Sequence, residues 1–360
     1  MLSATAGTGA RQMEYLNRGI VAVYQGSGND YVSWRMPGTD PSDIAFNLYR
    51  QLGAGAAVKL NAQPLTQTTD FRDLGVGNSQ SRTYFVRPVI GAIEQAPSET
   101  FTLPANAPNQ QYLSIPLQPP PGGTTPDGVA YTYNANDGSV GDVDGGGQYE
   151  IFLKWDPTNS KDNSQSGYTG DTFLDCYKLD GTRLWRIDLG INVRSGAHYS
   201  PFIVYDLDGD GKAEVACRTA PGTIDGQGNF VILPGDDPHA DYRNSSGYIL
   251  TGPQYLTIFN GQTGAAMATT PFLPDRVNIN QWGDTYGNRG DRFLMAVAYL
   301  DGQRPSLVVG RGIFPGQSAG NTVRNEVTAW NWRSGQLNML WWFKAADNLN
   351  GNTNSTYVGQ

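Results

Sequence analysis

Two cysteines in 360 residues do not make a disulfide scaffold. Cys176 and Cys217 lie 41 residues apart, each in an apolar, strand-like run, so buried thiols are expected in place of a bridge. Charge is sparse as well, at 16% of residues, and Lys+Arg 25 against Asp+Glu 33 leaves a net charge of −8. Phosphate binding wants a basic surface, so nucleic acid is not an expected partner. An acidic chain that binds an acidic polymer would need metal ions or a local basic cluster. No apolar run approaches the roughly 18 residues of a membrane span, and no membrane partner is expected. The first residues, MLSATAGTGARQME, lack the apolar stretch of an intact signal peptide, although their small-residue run would suit the tail of a processed or truncated leader. Histidine is as rare as cysteine: His198 and His239 have no Cys or second His at ligand spacing, which argues against a zinc site.

Turn formers and aromatics are abundant. Gly 45, Pro 22, Tyr 19 and Trp 8 suit an all-β protein with many short strands. Aromatic faces also stack on the apolar faces of sugar rings, while strands favour aromatics for packing alone. Residues 12–105 read as one small β domain. GIVAVY (19–24), YVSWR (31–35), AFNLYR (45–50) and RTYFVRPV (82–89) alternate apolar and polar residues between turn clusters, as in a fibronectin- or immunoglobulin-like sandwich. Residues 106–128 read as a linker and the entry to a second domain, with LQPPPGGTTPDG (117–128) as a stiff boundary.

From 129 to 360 the chain repeats itself. SVGDVDGGGQYEIFLKW (139–155) precedes TFLDCYKLDGTRLWRIDL (172–189). FIVYDLDGDGKAEVACRT (202–219) precedes QYLTIFNGQTGAAMATT (254–270). LMAVAYLDGQRPSLVVGRG (294–312) precedes NEVTAWNWRSGQLNMLWWF (325–343). Each unit is a strand, an Asp-Gly loop, a strand, and a hairpin turning on DG, NG or SG, dipeptides that supply the positive φ of tight hairpins. Four strands per unit, repeated, is the pattern of a β-propeller blade. The Asp-Gly loops at 144, 208 and 301 are 64 and 93 residues apart, so insertions of different length decorate one face. Three units fall short of the four to eight of a closed ring, and NSTYVGQ (354–360) brings no capping element, so the propeller is read as incomplete.

The strongest chemical signal is DLDGDGKAE (206–214). Asp206, Asp208 and Asp210 alternate, the Lys212 carbonyl follows, and Glu214 closes the set. Calcium takes six to eight oxygens, and a tight Gly-bearing loop points alternate oxygens at one centre. Carboxylates held ~4 Å apart would otherwise repel by roughly 4 kcal/mol per pair. The last carboxylate comes too early for an EF-hand, and a strand follows where that motif has a helix. A solvated acidic hairpin is the bland alternative. DVDGGGQYE (142–150) is a degenerate copy: Asp142, Asp144 and Glu150 remain, the Gln148 carbonyl is available, and Asp137 lies just upstream. The third loop keeps Asp301 alone and is expected to be metal-free.

YNANDGSVGDVDGGGQYE, KWDPTNSKDNSQSGYTGDTFLDCYKLDGT, RSGAHYSPFIVYDLDGDGKAE and GPQYLTIFNGQTG closely resemble bacterial rhamnogalacturonan lyases of the eight-bladed propeller type, polysaccharide lyase family 11. The match runs from about Gln12 to Gln360. The resemblance implies a β-sandwich-like domain before a calcium-rich propeller, in a secreted bacterial enzyme that is monomeric when complete. It implies cleavage of the rhamnose–galacturonate backbone of a pectic polysaccharide, rhamnogalacturonan I, by β-elimination. It further implies substrate contacts at Asn136 and Asp156, and calcium ligation by Asp137, Asp142, Asp144, Gln148 and Glu150. Family members continue well beyond the equivalent of Gln360, where their basic and tyrosine residues for the elimination lie, so no catalytic base is assigned. RGIFPGQSAGNTVRNEV (311–327) departs from the family pattern and bears on endo versus exo action.

Elimination on a uronate removes the proton α to the carboxylate and expels the sugar oxygen at C4. Neutralising that carboxylate makes the proton easier to take. Other readings remain. Asp156 before Pro157 would also suit a turn cap. Arg194 would bind a uronate carboxylate or stand as a surface charge, and His198 would face a cleft or serve as a hydrogen-bonded structural histidine. Gly316-Gln317-Ser318-Ala319-Gly320 matches the esterase elbow, but TVRNEVTAW after it reads as a strand where a helix is needed. A non-catalytic calcium-binding propeller, acting as a carbohydrate- or protein-binding module, would carry the same loops and perform no chemistry.

Overall fold

The computed structural model describes residues 11–313, 316–318 and 321–345. It divides into two compact units, one of Tyr15–Pro116 with Gly145–Tyr149 and the other of the remaining described residues. The first unit contains β1 (Val21–Tyr24), β2 (Asp30–Ser33), β3 (Ala45–Leu52), β4 (Ala57–Lys59), β5 (Asp70–Asp73), β6 (Arg82–Ile90), β7 (Ile93–Glu94) and β8 (Phe101–Leu103). They make a β1-β2-β5 sheet and a β4-β3-β6-β7 sheet, with β8 beside β6. The alternation seen in the sequence turns Ala22, Val32, Leu48, Tyr84 and Val86 into one core, where Trp34 meets Phe46 edge-on.

That core holds charge. Arg82 and Asp30 are fully buried and paired at 2.6 Å, and the Tyr84 hydroxyl donates to both Asp30 and Asp73. Removing one partner strands the other in an apolar interior. Asp30→Ala is therefore expected to cost about 3–5 kcal/mol of stability. A denaturant melt checks this, and a loss under about 1 kcal/mol, the scale of an exposed pair, would contradict it.

The second unit begins with a hairpin of β9 (Gly123–Thr124) and β10 (Ala130–Tyr131). The three sequence repeats then become three four-stranded antiparallel sheets in chain order. The first sheet is β11 (Tyr133–Gly141), β12 (Glu150–Pro157), β13 (Phe173–Tyr177) and β14 (Arg183–Asp188). The second is β15 (Phe202–Tyr205), β16 (Glu214–Thr219), β17 (Tyr255–Asn260) and β18 (Ala266–Pro271). In the third, β19 (Phe293–Ala298) and β20 (Ser306–Arg311) lead through a hairpin of β21 (Gly316–Ser318) and β22 (Asn321–Val323) to β23 (Glu326–Arg333) and β24 (Gln336–Lys344).

Period-two alternation explains the packing. On β16, Val215 and Cys217 face Phe152, Leu174, Cys176 and Trp185 of the first sheet. Ala216 between them faces the cluster of Leu256, Leu307, Val309 and Trp330. Both cysteines are free and buried, as expected. The hairpins need one correction. Gly181 (φ 87°) and Ser334-Gly335 (φ 52° and 71°) carry the positive φ expected of them, but in the second sheet Gly264 (φ 69°) does so and Gly261 does not. Gly261 is required by close approach: a Cβ there would lie 2.0 Å from the Ala213 carbonyl oxygen.

Candidate functional site

The loop between β15 and β16 gathers carboxylates. Asp206, Asp208 and Asp210 offer oxygens that all lie within 4.8 Å of one another. The backbone holds them there: Gly209 and Gly211 donate N–H bonds to Asp206 at 2.7 and 3.0 Å, and Lys212 donates to Asp210 at 2.9 Å. Glu214 is not one of the three; it accepts from the Leu207 N–H at 2.8 Å. Burial, and then the charge of Asp208, pushes the Glu214 carboxyl up to about 9. Burial also raises Asp206 and Asp208. An all-oxygen set under this strain fits a hard metal ion, whose charge would replace the protons.

The first loop repeats the device. Asp142, Asp144 and Glu150 converge within 4.8 Å, and the Val143 N–H bonds Glu150 at 3.1 Å as Leu207 bonds Glu214. The two loops touch, since Ala213 N donates to the Asp142 carbonyl at 2.7 Å. Asp137 is outside this group, its carboxylate paired with the buried ammonium of Lys154. Gln148 falls in the Gly145–Tyr149 segment of the first unit. In the third loop, Asp301 accepts from the Gln303 and Arg304 N–H groups and from the Arg304 guanidinium; the Arg304 N–H first, then the Gln303 N–H and the guanidinium, hold its carboxyl down to about 2 against burial.

At the far end of the same first-sheet strands, the β11–β12 register breaks between Ala135 and Gly138. Bulges re-aim side chains, and this one carries Asn136 and Asp137. Asn136 Nδ2 donates to Asp156 Oδ2 at 2.9 Å. Asp156 is 5% exposed, and its other oxygen, Oδ1, is buried without a hydrogen-bond partner among the described residues. Burial raises its carboxyl, with Lys154 opposing and Asp137 adding. The turn-cap reading of Asp156 is overturned, because the residue lies within β12 and accepts from a side chain. An orphaned acceptor beside an amide is suited to a ligand hydroxyl.

Three residues passed over in the sequence organise this end. Each sheet's second strand buries a cation: Lys154 on β12, Arg218 on β16 and Arg311 on β20. Arg218 donates twice to the Tyr199 carbonyl, at 3.0 and 2.8 Å. Arg311 donates to the Gly290 carbonyl and pairs with Asp291 at 2.8 Å. The signal was present in FLKWD, VACRT and VVGRG, where a cation recurs inside an apolar strand. These tethers fix loops that carry His198 and Arg292, which flank Asp162 at 3.9 and 3.5 Å. Burial, then Arg292 and Lys154, lowers the His198 pKa, with Asp162 opposing. Arg194 is neither a surface charge nor an open receptor. It is 3% exposed, bonds Tyr199 Oη and the carbonyls of Gln165 and Gly167, and rests on the Tyr248 ring. His239 packs edge-on to Phe230. Gly316–Ser318 is a strand paired with β22, which removes the esterase elbow; Ala319 and Gly320 lie outside the described residues.

Two family models match the chain. "Rhamnogalacturonan lyase family 11, C-terminal domain" spans residues 112–360, and "Rhamnogalacturonan I lyases beta-sheet domain" spans residues 11–103. Rhamnogalacturonan endolyase YesW of Bacillus subtilis (strain 168) is 54% identical over 332 residues, 92% of this chain and 50% of the relative. Rhamnogalacturonan exolyase YesX of the same organism is 47% identical over 350 residues, 97% of this chain and 53% of the relative. The crystal structure of YesW matches with a TM-score of 0.84 at 52% identity, covering 96% of this chain and 54% of that one. A Bacillus licheniformis rhamnogalacturonan lyase matches with a TM-score of 0.83 at 54% identity, covering 95% and 54%. The chain thus spans about half the length of the curated relatives it matches.

Proposed function

The chain belongs to rhamnogalacturonan lyase family 11, and from that premise we propose that the protein carrying it cleaves the rhamnose–galacturonate backbone of pectin by β-elimination. The observation that carries this reading is the 54% identity to an endolyase across 92% of the chain. The three stacked sheets are blades of an eight-bladed propeller, preceded by a sandwich over residues 12–105, in a secreted enzyme.

Asn136 and Asp156 hold a sugar hydroxyl: it donates to the orphaned Asp156 oxygen, and the rigid β11–β12 pair fixes its position. Asp142, Asp144 and Glu150 hold one calcium ion, and Asp206, Asp208, Asp210 and Glu214 a second. Calcium at these loops, when bound, supplies charge neutralisation that pins the turns between neighbouring strands.

The test is incubation of the full-length protein that carries this chain with rhamnogalacturonan and with plain polygalacturonate, read as the ultraviolet absorbance of the C4–C5 double bond left by elimination. Absorbance on the first polymer alone is the expected result. A folded protein that binds the polymer and generates no absorbance would instead be a carbohydrate-binding module.

A further inference from the structure

We propose that His198 and Arg292 form a subsite for the carboxylate of a uronic acid residue, with Asp162 as an internal placeholder that the ligand displaces. The proposal rests on the polysaccharide reading above. Its three residues come from three separate connections: Asp162 follows β12, His198 lies between β14 and β15, and Arg292 immediately precedes β19.

The flanks of this cluster are locked, Arg292 is 15% exposed, and the His198 and Asp162 side chains are partly open. Phe293 N donates to the His198 carbonyl at 3.1 Å, Arg218 grips Tyr199, and Arg311 grips Asp291. The Arg292 guanidinium is aimed by two bonds to Asn288, at 2.9 and 3.0 Å. Yet Arg292 and His198 stand 3.5 and 3.9 Å from Asp162, looser than the roughly 2.7–2.9 Å of a charge-assisted bond. Asp162 makes its close bonds to Ser164 N and Oγ, at 2.9 and 2.7 Å, so it does not depend on the cation. His198 and Asp162 are 34% and 39% exposed, within reach of a ligand.

The location suits an alternating polymer. Asp156 stands near the end of β12, and Asp162 lies on the connection that leaves the same strand, which ties the cluster along the chain to the Asn136–Asp156 pair. A hydroxyl acceptor beside a carboxylate acceptor reads a neutral sugar next to an acidic one. The Arg292 guanidinium supplies a local positive charge that a chain of net charge −8 needs in order to hold a polyanion.

Calorimetric titration of the protein with a rhamnogalacturonan oligosaccharide and with its carboxyl-reduced counterpart tests the assignment. The wild type should prefer the acid by about tenfold or more. Arg292→Gln should erase that preference and leave binding of the reduced form unchanged. Asp162→Asn keeps the bonds to Ser164 while removing the competing charge, and should tighten binding of the acid severalfold; a merely structural Asp162 would not. Should Arg292→Gln fail to fold, His198→Ala and Asp162→Asn carry the same test. Equal binding of both oligosaccharides, or an unaltered preference in the folded variants, overturns this subsite and leaves the lyase reading intact. No binding of either overturns both.

Discussion

Stripping divalent cations from the protein should lower its melting temperature by about 10–20 °C, and calcium should restore it. Asp206, Asp208 and Asp210 sit within 4.8 Å of one another, and Glu214 beside them is driven up to about 9. Asp142, Asp144 and Glu150 form a second such set. A ligand present at a hundredfold over its Kd stabilises the folded state by about 2.7 kcal/mol per site, hence about 5 kcal/mol for two. At about 2–4 °C per kcal/mol for a domain of 150–250 residues, that becomes the stated shift. Asp208→Asn should remove about half of it. Calorimetric melts with chelator, and then with calcium or magnesium added back, give the answer. Melts that coincide with and without chelator would remove metal from both loops.

In the full-length protein, on the proposed lyase reading, Asp156→Ala should lower kcat/KM on rhamnogalacturonan by about a hundredfold, since misplacing a bound substrate by about 1 Å already costs that much. The side chain has one hydrogen bond, from Asn136, and one orphaned oxygen. Deleting it would therefore remove the proposed ligand contact without unpicking a structural network, and the melt should stay near that of the wild type. Asp156→Asn retains the shape and one acceptor and should fall between. Initial rates of ultraviolet absorbance across polymer concentrations decide the matter. A rate within about threefold of wild type in the alanine variant would return Asp156 to a structural role.

Much of this was legible in the chain because the relevant physics is local. Alternating aspartates, and apolar runs broken by DG and SG, report strands and turns through neighbours in sequence. The three repeats became three sheets for that reason. The Asn136–Asp156 pair was reached only through family resemblance, because the bulge at Ala135/Gly138 depends on cross-strand register, which no short window contains. Arg194 is ambiguous as a lone arginine before a histidine; its burial comes from Gln165, Gly167 and Tyr248, each distant in sequence. Gly261 was read as a turn former because NG usually is one, while the constraint came from Ala213, the loop residue just before a neighbouring strand. The buried cations were passed over for a simpler reason. A Lys or Arg inside a strand reads as an exposed face until the partner that neutralises it is known.

The two thiols give the molecule an internal clock. Cys176 lies on the third strand of the first sheet and Cys217 on the second strand of the second, each fully covered. Burial pushes Cys217 up to about 12 and raises Cys176 as well, so neither supplies thiolate at neutral pH while its sheet is closed. An alkylating reagent can reach either sulfur only during an opening. Both sulfurs lie in the one core between the first two sheets, so the rate at which they are consumed counts how often that core comes apart, with no probe added to the protein.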